Sequence, residues 1–212
     1  MELNINLLSF NEMPIDHTIE KLLANKTITV HIDTEFTDFS NGDLISIGCA
    51  ADNDSEFYGE NSDFNKSLSS DFVKDHVYPL LTPESRAMKR PELASRLWQW
   101  FNDLPTEFIV IAFDYSTDYD LLIDLLGEIH PKIIEARNIY NAIYFSIDEQ
   151  TKALGGSGTD YENRVKKVKA KFELYLMDYF FRTKEKNHHA LSDAKANREA
   201  YSKLVNEFGL PK

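Results

Sequence analysis

Two carboxylates, Asp33 and Glu35, stand two residues apart in the stretch VHIDTEFTDF, residues 30–39. The stretch begins with alternating apolar and polar residues, the pattern of a half-buried strand, and residues i and i+2 of a strand share a face. Two like charges on one face favour a bound cation or exposure to water. Because so short a motif often arises by chance, the pair alone predicts either a metal site or ordinary surface acids on an edge strand.

A second group of aspartates follows in the stretch FDYSTDYDLLIDLLG, residues 113–127. At about 100° per residue, Asp118 falls within the apolar arc of a helix, whereas the two later aspartates fall outside it. The arc is formed by Leu121, Leu122 and Leu125. We therefore expect Asp118 to face the interior at the N-terminal end of this helix, as a metal ligand, an N-cap or both. Asp114 precedes the helix in a loop and is a weaker candidate.

The third group is in the stretch NHHALSDAKANREAY, residues 187–201. Asp193 falls on the small apolar stripe of a helix, so its carboxylate is expected to point inward. His188 precedes Asp193 with four residues between them, in the loop before the helix, and His189 is its neighbour. A set of ligands dominated by carboxylates, without thiolates, favours Mg²⁺ or Mn²⁺ over zinc.

The three groups together resemble the DEDDh 3′-to-5′ exonuclease family, which includes RNase T, oligoribonuclease and the proofreading subunits of replicative polymerases. The resemblance spans residues 27–205 and rests on the order D-x-E, inward Asp, H-x4-D. The segments DTEF, LISIG and FVKDHVYPLL are most similar to a small RNase T-related exoribonuclease group known from mycobacteria. One position departs from the pattern, because many relatives carry His-Asn where this sequence has Phe113 and Asp114.

The resemblance implies an α/β, RNase H-like mixed sheet flanked by helices, and an enzyme that hydrolyses RNA from its 3′ end to nucleoside 5′-monophosphates. It implies two divalent metal ions, Mg²⁺ or Mn²⁺, held by Asp33, Glu35, Asp118 and Asp193. It also implies that His188 is the general base, a role that suits an imidazole with a pKa near neutrality. His189 is the competing candidate. RNase T-like enzymes act as homodimers, so a homodimer is possible.

Three alternative functions stay open at this point. A 3′-to-5′ DNA exonuclease would have the same chemistry, because the sequence does not show whether a side chain contacts the 2′-hydroxyl. The same fold could also serve as a catalytically inactive nucleic-acid-binding module, although all five expected positions are filled. A metal-dependent phosphatase of small molecules is the third alternative.

Aromatic and basic residues are candidates for holding the nucleic acid. Phe36 and Phe39 follow the acidic pair and are candidates for stacking on a base, with core packing as the alternative for both. Segment 161–186 carries eight Lys or Arg against four acids. Lys166, Lys167 and Lys169 in this segment are candidates for phosphate contact, with a solvated helix face as the alternative.

Composition limits the class of protein. The chain has 212 residues, with 42% hydrophobic and 27% charged residues, which is ordinary for a globular domain. The formal net charge of -12 argues against coating nucleic acid through bulk electrostatics. The lone Cys49, the lack of a basic signal-peptide region and the lack of a long apolar run predict a cytoplasmic location and no membrane partner.

The elements that must position these residues follow from periodicity and turn residues. We expect an N-terminal extension over residues 1–26, with a short helix at Asp16–Ala24, and one exonuclease domain over 27–212. Strands are predicted at 27–33, 43–51, 55–61, 107–113 and 133–140, with a hairpin turn at 52–54. Helices are predicted within 69–81, ended by Pro79, and at 91–103, 118–126, 161–181 and 189–207. A flexible loop is expected at 154–158. A meander of strands followed by alternating helices and strands predicts an α/β fold.

Overall fold

A five-stranded mixed sheet with helices on both faces forms the domain, in a computed structural model that describes residues 26–39, 42–83 and 86–210. The strands are β1 (Thr27–Phe36), β2 (Leu44–Ala51), β3 (Glu56–Glu60), β4 (Phe108–Phe113) and β5 (Ile133–Asn138). The helices are α1 (Asp71–His76), α2 (Arg90–Asp103), α3 (Ser116–Leu126), α4 (Ile139–Ala153), α5 (Gly158–Thr183) and α6 (Ala190–Phe208). Two short 3-10 turns lie at Lys66–Leu68 and Tyr78–Leu80.

The strand order is β3-β2-β1-β4-β5. The first three strands form an antiparallel meander, and β4 and β5 join it in parallel. The hairpin between β2 and β3 turns at residues 52–54, where Asp54 has a positive φ of 65°. The predicted α/β mixed sheet is therefore confirmed.

Each face of the sheet has its own apolar core. On one face, α2 and α3 pack through Leu93, Leu97 and Leu122 against the inward residues of the strands. On the other face, α4, α5 and α6 pack together around Phe172 and Leu204. Helix α3 ends at Gly127, which has a φ of 76°, as the sequence predicts.

Helix α4 is the element that the sequence reading missed. Its segment mixes Ile, Tyr and Phe, which favour strands, so a short strand alone was expected near residues 133–140. In the structure β5 ends at Asn138, whose side chain accepts a hydrogen bond from the backbone of Asn141 and caps α4. Burial of Ile143 and Ile147 against α5 and α6 then overrides local propensity.

Other predicted bounds differ by a few residues. Helix α1 ends at His76, and Pro79 lies in the following 3-10 turn instead of ending the helix. Helix α5 is longer than predicted, because Ser157 and Asp160 form a capping box that starts it at Gly158. The predicted helix at Asp16–Ala24 lies outside the described residues, and the domain boundary after residue 26 stays a prediction. Within residues 26–39, 42–83 and 86–210, every helix is too short or too polar to cross a bilayer.

Candidate active site

The structure brings the four predicted carboxylates together with a fifth, Asp114, near the C-terminal ends of strands β1 and β4. Their oxygens form two groups, within each of which the oxygens lie within 4.8 Å of one another. One group is Asp33, Asp114 and Asp118, and the other is Asp33, Glu35 and Asp193. Asp33 belongs to both groups, so it lies between two places where a cation would be surrounded by carboxylates.

Strand register explains why Asp114 joins the cluster. Strands β1 and β4 are parallel neighbours, with His31 opposite Ala112. Continuing that register by two residues puts Asp33 level with Asp114, just beyond the end of β4. The side chain of Asn138 holds the loop by donating a 2.8 Å hydrogen bond to the Asp114 carbonyl. Asp114 was the weaker candidate from sequence, because parallel pairing of two distant strands has no local signature.

A close approach between α6 and β2 brings in Asp193. Gly48 of β2 is the cross-strand partner of Asp33. The first residues of α6 press against Gly48 so closely that a Cβ there would lie 2.2 Å from the backbone nitrogen of Leu191. The absence of a side chain at Gly48 therefore lets the start of α6 sit directly over the acidic strand.

Asp118 is held by hydrogen bonds on one carboxylate oxygen only. Its Oδ1 accepts hydrogen bonds from the backbone nitrogen of Thr34 at 3.1 Å and from the Thr34 hydroxyl at 2.7 Å. Its Oδ2 is buried without a hydrogen-bond partner among the described residues. The inward orientation is confirmed, since Asp118 is 2% exposed. The N-cap alternative is wrong, because Tyr115 is the N-cap and Asp118 lies in the first turn of α3.

Burial raises the pKa of every carboxyl in the cluster, and repulsion from neighbouring carboxylates adds to the rise at all of them except Asp114. Burial raises the pKa of Glu35 to about 8, and the charges of Asp193 and Asp118 add to this rise. Burial likewise raises the pKa of Asp118 and of Asp193 to about 7. The pKa of Asp33 lies well above its ordinary value, through burial and then its acidic neighbours. Five crowded carboxyls with an unpartnered buried oxygen fit hard divalent cations, which take oxygen ligands.

The two adjacent histidines point in different directions. His188 lines the cavity above the acidic cluster and meets the ring of Phe72 edge-on at 5.0 Å between centroids. Partial burial, and then the charge of His76, lower the pKa of His188 and favour the neutral imidazole. The ring of His189 instead stacks on Tyr58 at 4.4 Å, outside the residues that line the cavity. This arrangement favours His188 for contact with a bound molecule.

Aromatic side chains wall the cavity, which encloses about 550 Å³. Phe36 and Phe39 both line it and meet edge-on at 5.1 Å between ring centroids. A register shift in β1 between Glu35 and Phe36 interrupts strand alternation, and both residues face the cavity. Phe39 is 82% exposed, so core packing does not explain it. The sequence reading missed further lining residues, contributed by separate elements: Phe72, Tyr115, Phe180, Asn187 and Asn197.

The three predicted phosphate-binding lysines lie along the exposed side of α5. Lys167 is placed over the ring of Phe208, and Lys169 over the ring of Tyr140 at 5.5 Å. Lys166 is also exposed. In the described part of the chain, the residues that line the acidic cavity do not include these lysines. Within one copy of the chain, the structure does not bring them to the carboxylates.

Comparison with known proteins finds likeness among solved structures. A scan against protein-family models and a search of curated proteins find no match. Among solved structures, the crystal structure of cell-death related nuclease 4 is similar, with a TM-score of 0.51 and 15% sequence identity. The likeness covers 85% of this chain and 64% of that one, so this chain spans less than two thirds of its length. The shared feature is the α/β, RNase H-like fold.

Proposed function

We propose that this chain is a metal-dependent 3′-to-5′ exoribonuclease of the DEDDh family, closest to its RNase T-related group. The observation that supports this is the pair of carboxylate groups that share Asp33, at the floor of an aromatic cavity that His188 also lines. Paired divalent ions between carboxylates are suited to phosphodiester hydrolysis. The fold shared with a nuclease is compatible with this chemistry.

Five carboxylates would hold the ions, two Mg²⁺ or Mn²⁺. Asp33 would contribute to both, with Asp118 and Asp114 on one side and Glu35 and Asp193 on the other. Bound divalent ions would supply an activated water and stabilise negative charge on the leaving oxygen. The protein's own part is to hold these ligands largely buried, where their charges act more strongly than in water.

His188 would act as the general base. Its neutral imidazole takes a proton from the attacking water as the new P–O bond forms, and the bond to the 3′ oxygen of the preceding nucleotide breaks. The product is a nucleoside 5′-monophosphate and a strand shorter by one nucleotide. His189 is a poorer candidate, since its ring stacks on Tyr58.

The aromatic wall would hold the terminal nucleotide. Phe39 has an exposed ring face beside the cluster, and Phe36 supports it edge-on. Base stacking on such rings contributes about 1–3 kcal/mol per base and tolerates any sequence. Stacking on these rings does not distinguish RNA from DNA, so DNA is the alternative substrate. The preference for RNA 3′ ends rests on the family resemblance.

The lysines of α5 would act on a different copy of the chain. Lys166, Lys167 and Lys169 form an exposed basic segment away from the cavity of their own copy. In a homodimer of the RNase T-like kind, this segment would guide the phosphate backbone toward the partner's cavity. A cytoplasmic location for the enzyme is part of the same proposal.

One digest tests the proposed function. RNA and DNA oligonucleotides of the same sequence, labelled at the 3′ or the 5′ end, are incubated with Mg²⁺, Mn²⁺ or EDTA. We expect immediate release of the 3′ label as a mononucleotide, gradual shortening of the 5′-labelled strand, and no reaction in EDTA. If DNA is hydrolysed rapidly while RNA stays intact, the enzyme is a DNA exonuclease and not an exoribonuclease. RNA binding without hydrolysis would instead support the inactive binding module.

A matched pair of variants tests the site. Asp33→Asn keeps the shape of the side chain and removes the shared charge, so hydrolysis should stop while the fold persists. Asp120→Asn changes an exposed aspartate on α3, two residues beyond Asp118, and should leave hydrolysis unchanged. If both variants lose hydrolysis to the same extent, or if neither loses it, the assignment of Asp33 is wrong.

A further inference from the structure

His188 stands in an unusual backbone conformation. Its φ is 64°, in the left-handed region that residues other than glycine adopt rarely and at a cost. Such a conformation persists only where surrounding contacts hold it. The side chain of Asn187 lies 3.3 Å from the imidazole of His188, but Asn187 is itself exposed and on the same loop. The ring of His188 meets Phe72 and His76 of α1 edge-on, at 5.0 and 5.9 Å between centroids, and the backbone of the loop is held by further contacts.

His189 attaches the loop to the rest of the molecule. Its backbone nitrogen donates a 3.1 Å hydrogen bond to the Asp193 carboxylate at the start of α6. Its ring stacks on Tyr58 of β3, with 4.4 Å between centroids and 22° between ring planes. Because consecutive side chains diverge, anchoring the ring of His189 on Tyr58 leaves His188 directed toward the cavity.

Tyr58 is itself held firmly. Its hydroxyl donates a 2.7 Å hydrogen bond to the carboxylate of Glu60, which is 5% exposed. The same carboxylate accepts hydrogen bonds from the backbone nitrogen and the hydroxyl of Thr82, at 2.8 and 2.9 Å. The Glu60 carboxylate, itself held by two donors of Thr82, therefore fixes the Tyr58 hydroxyl, and the ring is pre-organised as a surface for His189.

We propose that Tyr58 is a positioning residue for His188. It lies outside the cavity and acts through the ring of His189, which it holds so that the strained loop presents His188 to the acidic cluster. The inference rests on the proposed role of His188 as general base. It adds a structural requirement in β3, a strand that contributes none of the proposed metal ligands.

The first experiment removes the stack. In Tyr58→Leu we expect kcat on an RNA oligonucleotide to fall roughly tenfold or more, since misplacement of a catalytic group by about 1 Å is costly. KM should change little, because Tyr58 is not among the described residues that line the cavity. Tyr58→Phe keeps the ring and should recover most of the turnover. Phe57 is also on β3 and its ring contacts Trp100 of α2, so Phe57→Leu is the control for general loosening of β3.

The second experiment asks whether Tyr58 acts through His188. A positioning role predicts that Tyr58→Leu slows the wild type but does not slow His188→Ala any further, in single-turnover assays. If Tyr58→Leu slows both backgrounds equally, the role is general and the inference is wrong. Should Tyr58→Leu fail to fold, His189→Leu removes the other ring of the same stack and is subject to the same comparison.

The outcomes separate the inference from the proposed function. If the wild type hydrolyses no oligonucleotide, or if His188→Ala is fully active, the proposed function or its base is wrong. If the wild type is active and His188→Ala is impaired, but Tyr58→Leu has the turnover of the wild type, only the positioning role is overturned.

Discussion

Replacing Gly48 by alanine should move Asp193 away from Asp33 in the acidic cluster. Gly48 is the cross-strand partner of Asp33, and the first residues of α6 lie against its backbone. An added Cβ would lie 2.2 Å from the nitrogen of Leu191, 2.3 Å from the carbonyl carbon of Ala190 and 2.4 Å from the Cα of Leu191. All three atoms belong to backbone, so no side chain can turn aside to make room.

The size of the displacement follows from these distances. Ordinary van der Waals contact begins at 3.4 Å, so the approach of 2.2 Å must open by 1.2 Å. The start of α6 carries Asp193 and follows His188, so both would move away from Asp33 by about that amount. A misplacement of about 1 Å costs on the order of 100-fold in turnover, and crowding of a packed core costs about 1–3 kcal/mol of stability.

The assay combines three measurements on Gly48→Ala: RNA hydrolysis, Mn²⁺ affinity by calorimetry and the free energy of unfolding. Gly59→Ala is the matched control. Its Cβ would lie 2.3 Å from Leu93 Cδ1 and 2.9 Å from Met88 Cε, which are the ends of side chains far from the cavity. We expect Gly59→Ala to lose some stability but keep metal affinity and turnover. A folded Gly48→Ala protein with wild-type metal affinity and turnover would refute the reasoning.

The raised carboxyl pKa values and the exposed ring of Phe39 lead to three more expectations. In metal-free protein, burial raises the pKa of Glu35 from 4.5 to about 8. The stability that its proton provides is fully present below about pH 4.5 and is lost as the pH rises through about 8. Unfolding by denaturant in EDTA should therefore show lower stability at about pH 9 than at about pH 6, and the reverse order would contradict burial of the cluster. Mn²⁺ binding near neutrality should release protons from the carboxyl ligands. Calorimetry in two buffers of different ionisation enthalpy measures this release. If no protons are released, the ligands are already ionised in the metal-free protein. Phe39→Ala should weaken binding of an RNA 3′ end by about 1–3 kcal/mol while the midpoint of thermal unfolding stays constant, and unaltered binding would rule out stacking.

Local periodicity was enough to predict much of the fold. The alternation in β1, the apolar stripes of α2 and α6, and the glycine after α3 each mark an element over a few consecutive residues. Helix α4 failed this test because its isoleucines and aromatics favour a strand locally. Its helical state depends on packing against α5 and α6, which lie later in the chain.

The carboxylates also differ in whether local sequence predicts their position. Asp118 could be predicted to face inward, because its place among the leucines of α3 is a property of one helix. Asp114 has no such neighbours, and its contribution follows from the parallel pairing of β1 with β4. The stacking of His189 on Tyr58 likewise joins residues that are far apart in sequence.

The sequence by itself determined which groups are available for chemistry: carboxylates in a set order, a histidine pair before the last helix, and aromatic residues beside them. Only the tertiary structure decided that five of these carboxylates meet in two groups that share Asp33, and that the basic segment of α5 lies away from them. The physical reason is that side-chain direction follows from local backbone geometry, whereas convergence requires strand pairing and a close approach at Gly48. Those contacts join residues that are distant in the chain, and no local pattern records them.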